Sequence, residues 1–371
     1  MIIFLVVPAD GFCECGYTST ISTGVSTNQY TFTDVLEFDA LHVKDVDQDT
    51  DWSIQNYNVS AADARGPYGM NFTSLNVVSN PIANASNWVG PPVSAGDPGV
   101  QLSVGGGIPA SGFVQVAQMN SVRQDLLFGT YRALLKVTSV PGTCTAFFWY
   151  YNDSQEIDFE ALSYQFNLQN GTFPMNLVLQ SQQSARQGFT SAASGDWKVA
   201  NLPFDPTDGF HEYRIDFIPG TVMYYGDGQI LATINTTAVP TSPGHLILSQ
   251  WSNGDPGWSA GPPPQRAVST VGYVKGYFNS SDPARQAAAI ARCKDPSASG
   301  ATCEISDLIT ASGSLYSPFF SNQANMTNNQ TIYGKSGSSG QTLNFGLIVG
   351  IFFLWAAEMF VIGYCFACFL S

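Results

Sequence analysis

Between residues 30 and 280 the chain is a succession of short β-branched and aromatic runs broken by turn clusters. Thr130–Val137, Thr145–Tyr151 and Tyr213–Ile218 are such runs, and Asn152-Asp153-Ser154, Pro219-Gly220 and Gly226-Asp227-Gly228 separate runs of this kind. No long helical period crosses this region. Regularly spaced short strands predict an all-β sandwich or jelly roll. One helix is predicted directly afterwards. Asp282 can cap it, Pro283 suits its first position, and Ala284–Cys293 follows with high helix propensity.

The two ends have another character. Met1–Asp10 is an apolar run with no basic residue before it and reads as the back end of a secretory signal, the alternative being a first strand. Residues 311–344 are rich in Ser, Thr, Asn and Gly and read as a stalk. From Phe345 to Leu370 only Glu358 interrupts an apolar stretch long enough for a bilayer core of roughly 30 Å. A transmembrane helix and a lipid-anchor signal both fit it. The expected organisation is a signal remnant at 1–12, a β domain at 13–281, a helical trailer at 282–310, the stalk at 311–344 and a membrane tail at 345–371. Nine N-x-S/T sequons add to the case for export: Asn58, Asn71, Asn84, Asn152, Asn170, Asn235, Asn279, Asn325 and Asn329.

Charge excludes some partners. Only 11% of residues are charged, against roughly a quarter in ordinary domains, and the net charge is −14. Such a surface repels phosphate backbones, which rules out a nucleic-acid partner. At 44% hydrophobic content the chain can bury a large core, so it is not disordered. A neutral, hydrogen-bonding ligand suits what remains, and a monomer is expected.

Seven cysteines are present, two of them in the tail (Cys365 and Cys368). Of the other five, Cys293 and Cys303 form a plausible local bridge, and one of Cys13 and Cys15 could reach Cys144. No four Cys and His have zinc spacing, so neither a metal nor another cofactor is expected. The acidic run Asp45-Val-Asp47-Gln-Asp49-Thr-Asp51 fails as a calcium loop. Position six is Thr50 and position twelve Asn56, so it reads as a solvated loop, with a single structural cation as the other possibility.

The sharpest local feature is Gln155-Glu156-Ile157-Asp158-Phe159-Glu160-Ala161-Leu162. On a strand, Glu156, Asp158 and Glu160 share one face, while Ile157, Phe159 and Ala161 point into the core. Three like charges on one face repel, and no Lys or Arg lies within ten residues on either side. A solvated acidic face is the ordinary fate of such a strand. Glycoside hydrolysis is the chemistry that needs the cluster: retention requires two carboxyls about 5–5.5 Å apart across the scissile bond. Cα atoms four residues apart on a strand lie roughly 13 Å apart, a gap two leaning Glu side chains can close. The Asp between them can raise a neighbour's pKa and keep a proton available.

These residues resemble the signature of glycoside hydrolase family 16, in its regular-strand form. Phe210–Pro219 with Tyr224–Gln229 is similar to that family's later strand pair, and Leu246–Trp258 to its cleft-lining strand and loop, most like fungal members with membrane-anchored tails. The resemblance covers roughly residues 30–280. It implies a concanavalin A-like jelly roll of two antiparallel sheets that cleaves or transfers β-glucans with retention. Glu156 would then be the nucleophile, Asp158 the assisting carboxylate and Glu160 the acid/base. Trp149, Tyr151, Gln250, Trp251 and Trp258 are candidate sugar contacts, through stacking on pyranose faces and hydrogen bonds to hydroxyls, with Asn253 as a further amide. A Trp in a sandwich is more often core than platform. The expected function is hydrolysis or transglycosylation of a β-glucan-type cell-wall polysaccharide at the cell surface; the alternative is a catalytically silent carbohydrate-binding glycoprotein.

Overall fold

The computed structural model describes residues 13–22, 26–87, 89–188 and 194–305. The segments read as signal remnant, stalk and membrane tail lie outside them. Among the described residues no helix is long and apolar enough to cross a membrane.

Period-two alternation builds the molecule. A nine-stranded sheet runs, in spatial order, Trp197–Asn201, Pro174–Ser181, Gln155–Leu162, Cys144–Asn152, His245–Trp251, Phe113–Ser121, Gly69–Phe72 and Tyr57–Val59, with Trp52–Ile54 also pairing with Phe113–Ser121. An eight-stranded sheet runs Gln229–Ile234, Thr221–Gly226, His211–Ile218, Leu126–Lys136, Ala267–Ser280, Gly99–Val104 and Val77–Asn80, with Asp34–Phe38 also beside Ala267–Ser280. Pairing within both is antiparallel except where Gly69–Phe72 runs parallel to Phe113–Ser121. This is the expected jelly-roll sandwich.

Alternate residues of the two sheets meet between them. Phe159 lies edge-on to Tyr213 and Tyr224, with ring centroids 5.7 and 5.1 Å away, and Trp149 edge-on to Phe217 at 5.1 Å. Ile157, Phe159, Ala161 and Trp149 are all buried in this one cluster. Each large side chain hidden there contributes about 1.5–3 kcal/mol. That core fixes which way the opposite side chains of the same strands point.

A third sheet adds to the sandwich. Thr27–Phe32, Gly16–Ser22 and Thr302–Glu304 form it, the last two strands running parallel. Tyr17, Ile21 and Phe32 cover Val35, Ile218, Met223 and Tyr225 on the outer side of the eight-stranded sheet. The predicted helix is Pro283–Arg292, and Asp282 caps it by accepting from the Ala284 amide at 2.8 Å. Its Arg285 reaches Asp34 at 3.4 Å, and its Arg292 donates to the Thr33 carbonyl at 2.9 Å. Residues 282–305 are thus built into the body.

The cysteine expectation is corrected here. The bridges are Cys13–Cys303 and Cys15–Cys293, while Cys144 is a buried thiol. Parallel pairing sets Gly16 beside Thr302 and so brings together the two ends of the described residues. Cys144 lies on the nine-stranded sheet. Cys293 and Cys303, only ten residues apart in sequence, take different partners. The acidic run is a short 3₁₀ turn at Val46–Gln48. Its carboxylates cap backbone amides: Asp45 accepts from Asp47, and Asp49 from Asp51 and Trp52.

Because either bridge already closes the long loop, the other closes only a short further one. Replacing Cys13 and Cys303 together by Ser is therefore expected to cost about 2–3 kcal/mol in denaturant unfolding. Peptide mapping without reductant should recover the 13–303 and 15–293 pairs.

Candidate active site

Register across the nine-stranded sheet assembles the site. Glu156 pairs with Tyr150 and Gln180, Asp158 with Phe148 and Val178, and Glu160 with Ala146 and Asn176. On the next strand His245, Ile247, Ser249 and Trp251 carry the same face onward. The three carboxylates therefore sit mid-sheet on the face turned away from the core, as the alternation predicts. Asp158 is buried, and its two neighbours are half-buried.

Burial pushes all three carboxyls above their ordinary range. For Glu156 the shift reaches about 8 from a usual 4.5, with the charge of Glu160 adding to it. Asp158 is raised well above its ordinary value by burial and by its two carboxylate neighbours; it hydrogen-bonds Glu156, which favours the ionised form of Glu156. A protonated Asp158 donating to an ionised Glu156 is the arrangement that satisfies both groups. Glu160 is also raised by burial, against which the Trp258 indole and the Cys144 thiol each donate a hydrogen bond to it. The thiol contact is 3.3 Å, from Sγ to Oε1.

One cation relieves the cluster. The charge of Arg65, from the loop between Tyr57–Val59 and Gly69–Phe72, favours ionisation of Glu156 and Glu160. Arg65 has a left-handed backbone, φ +57°, a conformation that costs a non-glycine residue about 1 kcal/mol or more. The loop is held against the segment that carries Trp258. Asn253 Nδ2 donates to the Ala64 carbonyl at 2.6 Å, and the Asn253 carbonyl accepts from the Tyr68 amide at 3.0 Å. Ser259 Oγ and the Asp255 amide both donate to Asn253 Oδ1.

Aromatic side chains border the carboxylates. Trp251 and Trp258 pack over Cys144, Ala146 and Leu162. Trp258 also meets Trp197, with centroids 5.8 Å apart, and Trp197 Nε1 donates to Asn176 Oδ1 at 3.2 Å. Near Glu156, Tyr150 donates to Asp153 at 2.7 Å and lies edge-on to His245. Burial lowers the His245 pKa to about 4, so its ring is neutral over most of the working range.

Two sequence candidates are elsewhere. Trp149 pairs with Ile157, faces the core, is fully buried, and donates from Nε1 to the Leu126 carbonyl. Gln250 also faces inward, opposite Thr145. Its amide is occupied by Thr143, Thr145 and Ser269. Asn253 is buried and holds the two loops together, its amide nitrogen and oxygen both bonded within the protein. Tyr151 stands exposed beside the hairpin, one residue past Tyr150, the side chain that does face Glu156. Tyr150, Cys144, Trp197, Asn176 and Arg65 were not among the candidates. Once Glu156, Asp158 and Glu160 face one way, hairpin parity alone selects 150 over 149. No local sequence signal points to Arg65.

The sequence profile of glycosyl hydrolases family 16 matches residues 93–270, a span that contains all three carboxylates. The chain is thus similar to this family over just under half of its length. The chain is 26% identical to a beta-glucanase of Paenibacillus polymyxa over 125 residues, 34% of the chain and 48% of that protein. It is 26% identical to Congo red hypersensitive protein 1 of Saccharomyces cerevisiae over 139 residues, 37% of the chain and 25% of that protein. The chain thus spans about half the length, or less, of these curated relatives. An endo-beta-1,3-glucanase from Pyrococcus furiosus shares the fold of this chain, with a TM-score of 0.50 at 14% identity over 71% of the chain and 99% of that structure.

The raised carboxyl pKa of Glu156 has a sign that stability can read. Between the ordinary value and about 8 the folded protein binds more protons than the unfolded chain, so stability falls as pH rises through that window. Glu156→Gln removes this penalty. At pH 8 the variant is expected to gain about 1–2 kcal/mol, a melting rise of about 2–4 °C, with the gap closing below pH 4. Calorimetry at both pH values measures it.

Proposed function

We propose that this chain is a retaining glycoside hydrolase or transglycosylase acting on a β-glucan-type polysaccharide through a glycosyl-enzyme intermediate. The observation that carries this reading is the unequal environment of three aligned carboxyls. Asp158 hydrogen-bonds Glu156 and favours its charge, while burial raises both glutamates and two other donors, the Trp258 indole and the Cys144 thiol, hold Glu160. Glu156 then attacks the anomeric carbon and Glu160 gives its proton to the departing glycosidic oxygen. The new bond is an ester between sugar and Glu156. In the second half Glu160 takes a proton from the acceptor, whose oxygen attacks the same carbon and releases Glu156. Water as acceptor gives hydrolysis and a sugar hydroxyl gives transfer.

The β-glucan class is supported by the beta-glucanases among the relatives and by the aromatic border of Trp251, Trp258 and Trp197, suited to C–H faces of pyranose rings. Export is supported by two disulfides that close the described chain end to end. The sequons at Asn58, Asn84, Asn170 and Asn235 are exposed, as glycosylation requires. With the apolar stretch at 345–371 as membrane tether, the enzyme would act as a monomeric glycoprotein on cell-wall glucan at the cell surface.

The test compares the full chain with Glu156→Gln and Glu160→Gln on mixed-linkage and β-1,3-glucans. Glu156→Gln is expected to abolish turnover. Glu160→Gln should lose about 10²–10⁴-fold on the polysaccharide but far less on a dinitrophenyl oligoglucoside, whose leaving group needs no proton. A wild type that binds glucan yet turns over none would establish the carbohydrate-binding alternative.

A further inference from the structure

We infer that Cys144 is a positioning residue for Glu160: its buried thiol grips one carboxylate oxygen from behind and fixes the orientation from which the proton is delivered. The inference rests on the reading of Glu160 as acid/base. Sγ is 3.3 Å from Glu160 Oε1, and Cys144 is wholly buried. Alternation puts the thiol on the carboxylate face: Cys144 pairs with Leu162 and Ala146 with Glu160, so the thiol stands one step along the face from the carboxylate. Trp251 and Trp258 pack over it and keep solvent out.

The grip has two jaws. Trp258 donates its indole N–H to the same carboxyl group, so a thiol within the sheet and an indole from the loop after Trp251 hold Glu160 together. Neither donor can take up a proton at working pH. Burial and the charge of Glu160 push the thiol pKa well above its ordinary value. Cys144 therefore stays an S–H donor and is a poor nucleophile. The four other cysteines among the described residues are paired with one another. Among the described residues the one unpaired thiol is thus placed where it serves the carboxylate.

Several titratable groups share this face of the sheet or its rim with Glu160. Glu156 and Asp158 share its strand, Asp153 lies in the hairpin, Tyr150 and Cys144 come from the adjacent strand, and His245 from the next. Arg65 faces it from its loop, and Asp255 is spent on the Asp255–Gly257 turn. The opposite neighbouring strand contributes only Asn176, Val178 and Gln180. All but Cys144 are unchanged in a comparison of Cys144 variants.

Ionised Glu160 is the form that accepts the S–H bond. In Cys144→Ala it loses a donor, and the alkaline limb of kcat/KM against pH on β-glucan is expected to move up by about 0.5–1 unit. Cys144→Ser restores a donor and should return the limb to its wild-type position. A limb unmoved in a Cys144→Ala protein that melts normally would overturn the inference. The S–H stretching band of the full chain reads the bond without turnover: it should shift between wild type and Glu160→Gln, and an unchanged band would overturn the inference as well. If Glu160→Gln kept full activity on polysaccharide, the acid/base reading would fail, whatever the band showed.

Discussion

Ile157, Phe159 and Ala161 are pulled into the gap between two sheets, and that inward pull sets the direction of everything on the other side of their strand. With Phe159 wedged between Tyr213 and Tyr224, a slip of one residue would bury three carboxylates in an apolar core and expose a phenylalanine. The cost of that slip far exceeds the repulsion among Glu156, Asp158 and Glu160. The core therefore holds the carboxylates in a row that they would not adopt for their own stability.

Their mutual repulsion is then managed by partners from distant parts of the chain. Asp158 is poised to keep its proton and share it with Glu156. Arg65, Trp258 and Cys144 attend Glu156 or Glu160 from two loops and a neighbouring strand. The Asn253 hydrogen bonds lock the Arg65 loop to the Trp258 loop, so the cation and the indole are placed together. The site is destabilising in itself and paid for by its frame, as expected where carboxyl pKa values are shifted from their ordinary range.

Alternation and turn chemistry are local properties, which is why the sandwich, the helix at Pro283–Arg292 and the carboxylate row could be read from the chain. Trp149 was misread because residue type was weighed without parity: the hairpin register puts it opposite Ile157, inside. Gln250 failed for the same reason, opposite Thr145. The disulfides depend on a parallel contact between Gly16–Ser22 and Thr302–Glu304, a pairing almost three hundred residues apart that no local pattern announces. Arg65 is hidden likewise, since its role comes from a loop fixed by Asn253. The low charge content had suggested a neutral ligand, and much of the charge that remains in the body is used internally, as in Arg123 between Asp34 and Asp125.

Covalent capture tests the central claim most directly. A 2-deoxy-2-fluoro β-oligoglucoside carrying a dinitrophenyl leaving group would let the first step proceed, with phenolate released as the carboxylate–sugar bond forms, while the fluorine slows the second. Mass spectrometry of the digested protein is expected to place one sugar ester on Glu156. An ester on Asp158 or Glu160, or phenolate release with no adduct under conditions of slow turnover, would contradict the assignment.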